Sequence, residues 1–186
     1  MAVEVATTRR RFTRAEYYRM AEAGILGEDD RVELIEGEIV QMSPIGDRHV
    51  AFVINLTNLL AVRLAGHALV SAQNPVTLTD DTEPQPDLTV VHRRGFKERK
   101  PHPEDVLLVI EVADTSLAYD RTTKLRLYAE AGISEYWIVD CTAEVVEVYR
   151  NPGGDRYLDV TRVTAPATLR LQAFPDVELT LAEIFA

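Results

Sequence analysis

Cysteine is nearly absent from this chain. Cys141 stands alone, which excludes an intrachain disulfide and any cysteine-rich zinc site and fits a reducing compartment. Long apolar runs are missing too: none approaches the roughly 20 residues of a membrane-spanning helix. The segment from Met1 to Arg11 has no apolar core behind its charges, so it does not read as a signal peptide. The expected location is cytoplasmic, with no membrane partner. There is no phosphate-binding glycine loop, because Gly153 and Gly154 fall inside the turn signal Asn151–Asp155. The four histidines are scattered, without zinc spacing.

Positive charge is also scarce. Twenty basic residues against 30 acidic ones leave a net charge of −10, which argues against the broad nucleic-acid affinity of a basic face. Two local basic groups remain. One is the loop with Arg93, Arg94, Lys97, Arg99 and Lys100; the other is Arg9, Arg10, Arg11 and Arg14. Each reads equally well as a solvated segment. The rest of the composition, 46% hydrophobic and 27% charged over 186 residues, is that of one globular domain with a sizeable core. Residues 1–11 are expected to be flexible.

Periodicity and punctuation predict an α/β order. Thr13 and Glu16 form a capping-box pattern for a short helix ending at Gly24. Val32–Glu36 and Glu38–Met42 read as a hairpin around Gly37. A long helix opens at Asp47, running from His49 to about Leu64, with Val50, Val53, Ile54, Leu56, Leu60 and Leu64 as its apolar stripe. Short strands are predicted at Ala68–Ala72 and Val76–Leu78. Longer ones follow from Asp87, at Val106–Val112, Tyr136–Asp140 and Glu144–Tyr149, with weaker ones at Arg156–Val163 and Thr168–Leu171. Helix is predicted over Leu117–Ala131, closed by Gly132, and one helical turn near Leu181–Phe185. The predicted fold is a mixed β-sheet with the two longer helices packed on it.

Two of these strands carry a single acid each, Asp87 and Glu111, amid apolar residues. Burying such a carboxylate is costly unless a cation or hydrogen bonds meet it. Neighbouring strands stand about 4.8 Å apart, so both carboxylates can converge on one ion. An oxygen-only pair suits Mg²⁺ or Mn²⁺, with the Val112 carbonyl as a further ligand. On the following helix Asp120, Lys124 and Tyr128 stand at four-residue steps and share one stripe. Lys124 can orient an attacking water or neutralise phosphate charge. It can equally serve as the counter-ion of the two acids, with no metal, or pair with Asp120.

Pro86-Asp87 followed by Glu111, Val112 and Ala113 resembles the PD-(D/E)XK motif of restriction-endonuclease-like proteins. The wider pattern resembles the bacterial Uma-two endonuclease family. It takes in Glu33 to Gly37, Met42 to Pro44 with His49, Pro86-Asp87, Ile110 to Val112, Asp120, Lys124, Tyr128, and Gly132 to Trp137, over roughly residues 12 to 150. The resemblance implies a restriction-endonuclease-like fold and a Mg²⁺-dependent endonuclease acting on DNA, with Asp87 and Glu111 on the metal. Ala113 departs from the superfamily pattern, which has lysine there, and Lys124 stands where the resembling family supplies it from the helix. Asp114 occupies a position where a small hydroxyl residue is common.

Glu36 is a candidate for an additional metal-shell carboxylate, or simply a hairpin-turn acid. His49 can line the site mouth or contact phosphate, or be a surface residue at the helix start. Tyr128, Tyr136 and Trp137 read as core or subunit-interface aromatics. Nucleases of this fold often dimerise, so a homodimer is expected, and pairing would gather two basic loops around one groove. A non-catalytic binding or assembly protein that keeps the fold is the alternative. Hydrolysis of another phosphodiester or a small phosphorylated substrate is the third reading.

Overall fold

A computed structural model describes residues 9–27 and 29–186. Residues 1–8 of the segment expected to be flexible therefore lie outside the described residues. By contacts the chain divides into two compact units, residues 1–42 with 79–84, and residues 43–78 with 85–186.

The first unit holds α1 (Arg14–Glu22) and a hairpin of β1 (Val32–Ile35) and β2 (Glu38–Gln41). Thr13 and Glu16 close the expected capping box. Glu36 and Gly37 both have positive φ, 49° and 77°, the backbone that a two-residue hairpin turn demands. A side chain at position 37 would also strike Arg11, whose Cβ lies 2.5 Å from the would-be Cβ. The unit's buried Glu83 accepts from Tyr18 and faces Arg14 at 3.5 Å.

The second unit is a six-stranded sheet between helical layers. Its strands are β3 (Ala68–Ala72), β4 (Leu88–His92), β5 (Val106–Ala113), β6 (Glu135–Asp140), β7 (Val145–Pro152) and β8 (Tyr157–Val163), in that spatial order. All neighbours are antiparallel except β5 and β6. A parallel pair needs a long crossover, supplied here by α3 (Leu117–Tyr119), a π turn (Asp120–Lys124) and α4 (Leu125–Glu130). A small hairpin of β9 (Thr168–Arg170) and β10 (Glu178–Thr180), then α5 (Leu181–Ile184), completes the unit. The fold is the mixed α/β sheet with flanking helices that the sequence predicts.

Strand alternation sorts the core onto two faces. One face packs Leu88, Val90, Leu108, Ile110, Val112 and Trp137 against α2 (Asp47–Arg63) and the C-terminal hairpin. The other packs Val91, Val109, Ala113, Tyr136 and Ile138 against Tyr128, Ala129 and Ile133.

The structure corrects the sequence reading in four places. Val76–Leu78 joins no sheet among the described residues; Thr77 N–H instead meets Pro101 O at 2.9 Å. The crossover helix is interrupted by the π turn. Val50 and Ile54 lie on the solvent side of α2, 44% and 65% exposed, while Phe52 faces the core. The β10 strand has no counterpart in the sequence reading, because three residues carry no readable alternation. Elsewhere boundaries move by one to three residues, the largest shift being the end of β7 at Pro152 instead of Tyr149.

Candidate active site

The site grows out of the last rung between β4 and β5. These strands pair Leu88 with Ile110, so continuing the register by one residue sets Asp87 opposite Glu111. That rung is closed by side chains. Asp87 N–H donates to Glu111 Oε2 at 3.2 Å, and Val112 N–H donates to Asp87 Oδ2 at 2.8 Å. Each carboxylate is thus fixed by the main chain of the other strand. Both are buried, with Asp87 at 9% and Glu111 at 5% exposure.

Two helices supply the remaining partners. From α2, His49 places Nδ1 2.8 Å from Val112 O and Nε2 3.0 Å from Asp87 Oδ1. A carbonyl oxygen only accepts, so Nδ1 carries the N–H that meets Val112 O. From the crossover, Lys124 Nζ stands 3.3 Å from Glu111 Oε1, and Tyr128 OH donates to the same oxygen at 2.7 Å. Lys124 is 3% exposed. It meets Glu111, while His49 stands beside Asp87. Asp120, also 3% exposed, accepts from Ser116 Oγ at 2.6 Å, and its carbonyl accepts from Tyr136 OH at 3.2 Å.

Burial drives the Glu111 carboxyl up to about 8, against the pull of the Lys124 ammonium. Asp87 and Asp120 push it further up, and the Tyr128 hydrogen bond opposes them. Burial thus disfavours the charged form of Glu111, and any further cation beside it would favour that form. Cys141 is raised to about 12, chiefly by burial, so its thiol is inert at neutral pH.

The structure therefore brings together His49, Asp87, Glu111, Val112, Asp120, Lys124 and Tyr128. Glu36 belongs to the first unit, at the positive-φ turn of the hairpin, where its N–H meets Thr82 Oγ1 at 3.1 Å. Ser116 and Tyr136 are members that sequence reasoning missed; their roles depend on the local helix geometry, and a serine or an apolar-strand tyrosine carries no separate signal. Asp114 abuts the start of α2, its Oδ2 only 2.4 Å from where a Cβ on Gly46 would stand. Glycine at 46 is what allows that approach.

Among the described residues no group of three or more His, Cys, Asp or Glu side chains forms a metal-binding cluster. The donor chemistry still fits a hard divalent cation. Two carboxylates and one backbone carbonyl are oxygen donors, and Mg²⁺ takes one or two carboxylates and keeps several waters. The His49 ring spans Asp87 Oδ1 and Val112 O, two oxygens of that set.

The basic loop is less available than its composition implies. Asp105, fully buried, accepts from Arg99 through both oxygens at 2.5 and 3.2 Å, pairs with Arg94, and accepts from His102 N–H at 2.9 Å. Two of the five basic side chains are thus tied inward.

The fold is thus a mixed sheet flanked by helices, with paired acids at the end of two adjacent strands and a lysine from the crossover helix beside them. This chain belongs to the Uma2 family, described as "Putative restriction endonuclease", whose family model matches residues 14–182. The match reaches past residue 150 and takes in β8, β9 and β10. Among solved structures the chain is similar to an Anabaena variabilis protein described as "a putative nuclease belonging to DUF820". The two share 19% identity at a TM-score of 0.73, over 94% of this chain and 97% of that one. No curated protein matches. No helix among the described residues is long and apolar enough to cross a membrane.

Proposed function

We propose that this protein is a metal-dependent endonuclease that hydrolyses DNA phosphodiester bonds. Asp87, Glu111 and the Val112 carbonyl would hold Mg²⁺ or Mn²⁺, and Lys124 would orient the attacking water. The observation that carries this reading is the side-chain rung between β4 and β5. Two buried carboxylates face each other, each held by the opposite strand's backbone, with Lys124 3.3 Å from one of them.

A divalent ion bound there would lower the pKa of a water and offset charge on the phosphate. The chain's own groups do the rest. Tyr128 and Lys124 fix Glu111 through Oε1, so its second oxygen keeps its orientation toward Asp87. The Lys124 ammonium, held in a buried setting, stabilises developing negative charge more strongly than it would in water. His49, against Asp87 Oδ1 and Val112 O, keeps these two oxygens in register at the strand ends.

The test is cleavage of supercoiled plasmid and of single-stranded DNA with Mg²⁺ or Mn²⁺, beside an EDTA control and the Asp87→Ala and Lys124→Ala variants. Cleavage that survives both substitutions would place the activity elsewhere. Metal titration by calorimetry gives a second reading, and heat unchanged in Glu111→Ala would remove that residue from the ligand set. A homodimer is part of the proposal, favoured by the stripe of exposed Val50, Ile54 and Val62 on α2. Sedimentation velocity on Ile54→Asp against wild type tests it: an unchanged monomer in both would refute the pairing.

A further inference from the structure

The crossover helix is irregular at the place where it meets the acids. After α3 the chain takes the π turn Asp120–Lys124, and Leu125 N–H reaches back five residues to Asp120 O. A π turn inserts one residue into the helical count, so the residues beyond it are rotated by about 100° relative to a regular helix. Lys124 ends that turn and Tyr128 lies one turn on. Their meeting at Glu111 Oε1 therefore depends on the turn being kept.

The Asp120 carbonyl that receives the long Leu125 bond also receives the Tyr136 hydroxyl at 3.2 Å. Tyr136 sits on β6 opposite Val109, two residues before Glu111 on the same face of β5. Its ring is fully buried and fixed among three others, 5.0 Å from Tyr128, 5.7 Å from Tyr149 and 6.2 Å from Tyr157. The hydroxyl is thus anchored to the sheet that carries Glu111. Ser116 holds the side chain of the same residue, Asp120, at 2.6 Å.

We infer that Tyr136 is a positioning residue of the site: its hydroxyl, fixed to the sheet, pins the Asp120 carbonyl in the π turn and so sets where Lys124 and Tyr128 meet Glu111. The bland alternative is a core tyrosine whose hydroxyl merely finds a partner. The kinetic part of this inference rests on the nuclease reading; the geometric part does not.

Tyr136→Phe removes one oxygen and keeps the ring stack. Crystal structures of wild type and variant should differ at the helix alone. In the variant Leu125 N–H should return to Arg121 O, and Lys124 Nζ should leave hydrogen-bond distance of Glu111. With plasmid DNA and Mg²⁺, kcat should fall by about tenfold or more while KM stays within about twofold, because Tyr136 is fully buried and meets no substrate itself. A variant that keeps the π turn and the Lys124–Glu111 contact overturns the inference. So does one in which the turn relaxes and kcat holds, or KM rises in step with the loss. A variant that fails to fold overturns it as well, since the hydroxyl would then hold the fold and not the turn. If wild type cleaves no DNA, the nuclease reading falls by itself and the two crystal structures still decide the geometry.

Discussion

Glu111→Gln is the sharpest probe of the acid pair, because it replaces the ionisable carboxyl by a neutral group of the same shape. The Glu111 carboxyl is raised from 4.5 to about 8 by burial, with Lys124 opposing. A raised folded-state value means that the folded protein holds a proton that the unfolded chain releases between these limits. The stability from that proton is complete below about pH 4.5 and is lost as pH rises through about 8. Within the window the slope is at most about 1.4 kcal/mol per pH unit. From pH 6 to pH 8 the metal-free wild type should therefore lose roughly 2 kcal/mol through this group.

The glutamine variant has no such proton to lose. It does carry a fixed penalty: Tyr128, Lys124 and Asp87 N–H all donate to Glu111, and an amide presents one acceptor oxygen and one NH₂ group. That mismatch costs about 1–3 kcal/mol, but equally at every pH. The measurement is urea unfolding of both proteins in EDTA at several pH values, read as the difference between them. The wild-type disadvantage should grow with pH, and Mg²⁺ should remove it in wild type alone. A difference that stays flat from pH 6 to pH 8.5 would refute the account of Glu111 as a buried, proton-holding acid.

Other outcomes follow from the same geometry. Lys124→Met should cut turnover by about 100-fold or more and move the pH-dependent loss of stability to higher pH, since Lys124 holds the Glu111 carboxyl down; plasmid cleavage and the same urea series check both. Gly46→Ala drives a Cβ to 2.4 Å from Asp114 Oδ2, and displacing that side-chain end should cost about 1 kcal/mol. Adding Asp114→Ala should recover the loss in thermal melting. Asp105→Ala strips Arg94 and Arg99 of their buried partner and should cost about 1–3 kcal/mol. Limited trypsin digestion should then cut the 93–100 loop faster than in wild type.

The acid pair was legible in the sequence because a lone carboxylate in an apolar strand demands compensation, and Asp87 and Glu111 are the two such cases that adjoin. Strand alternation gave their common face. The rung itself was not legible: that each acid accepts the other strand's N–H depends on where the ladder stops. Spacing put Asp120, Lys124 and Tyr128 on one stripe, yet the π turn left no mark in Asp120–Lys124, which reads as ordinary helix. Val50 and Ile54 show the matching weakness on α2, where apolar residues cover more than one side and periodicity alone does not say which side is buried. Arg94 and Arg99 counted as surface charge until Asp105, a few residues on, proved to be their buried partner.

Among the buried acids of the second unit, three are locked by arginine, and the Asp87–Glu111 pair is not. Glu135 takes Arg150 Nε and Nη2 at 2.8 and 2.6 Å, Trp137 Nε1 at 2.9 Å and Gln172 N–H at 2.7 Å. Glu147 takes the fork of Arg121 at 3.0 and 2.6 Å and Tyr149 OH at 2.7 Å. Asp105 has two guanidiniums. A guanidinium never gives up its proton in a protein and matches a carboxylate face to face, so these three acids are closed structural pairs. Asp87 and Glu111 meet an imidazole, an ammonium and a phenol instead. None of these partners presents the planar two-point fork of a guanidinium. A carboxylate needed only to hold the fold would be served better by arginine. The lack of an arginine at this pair, beside three arginine-locked acids in the same unit, favours the proposal that the end of β4 and β5 is the active site.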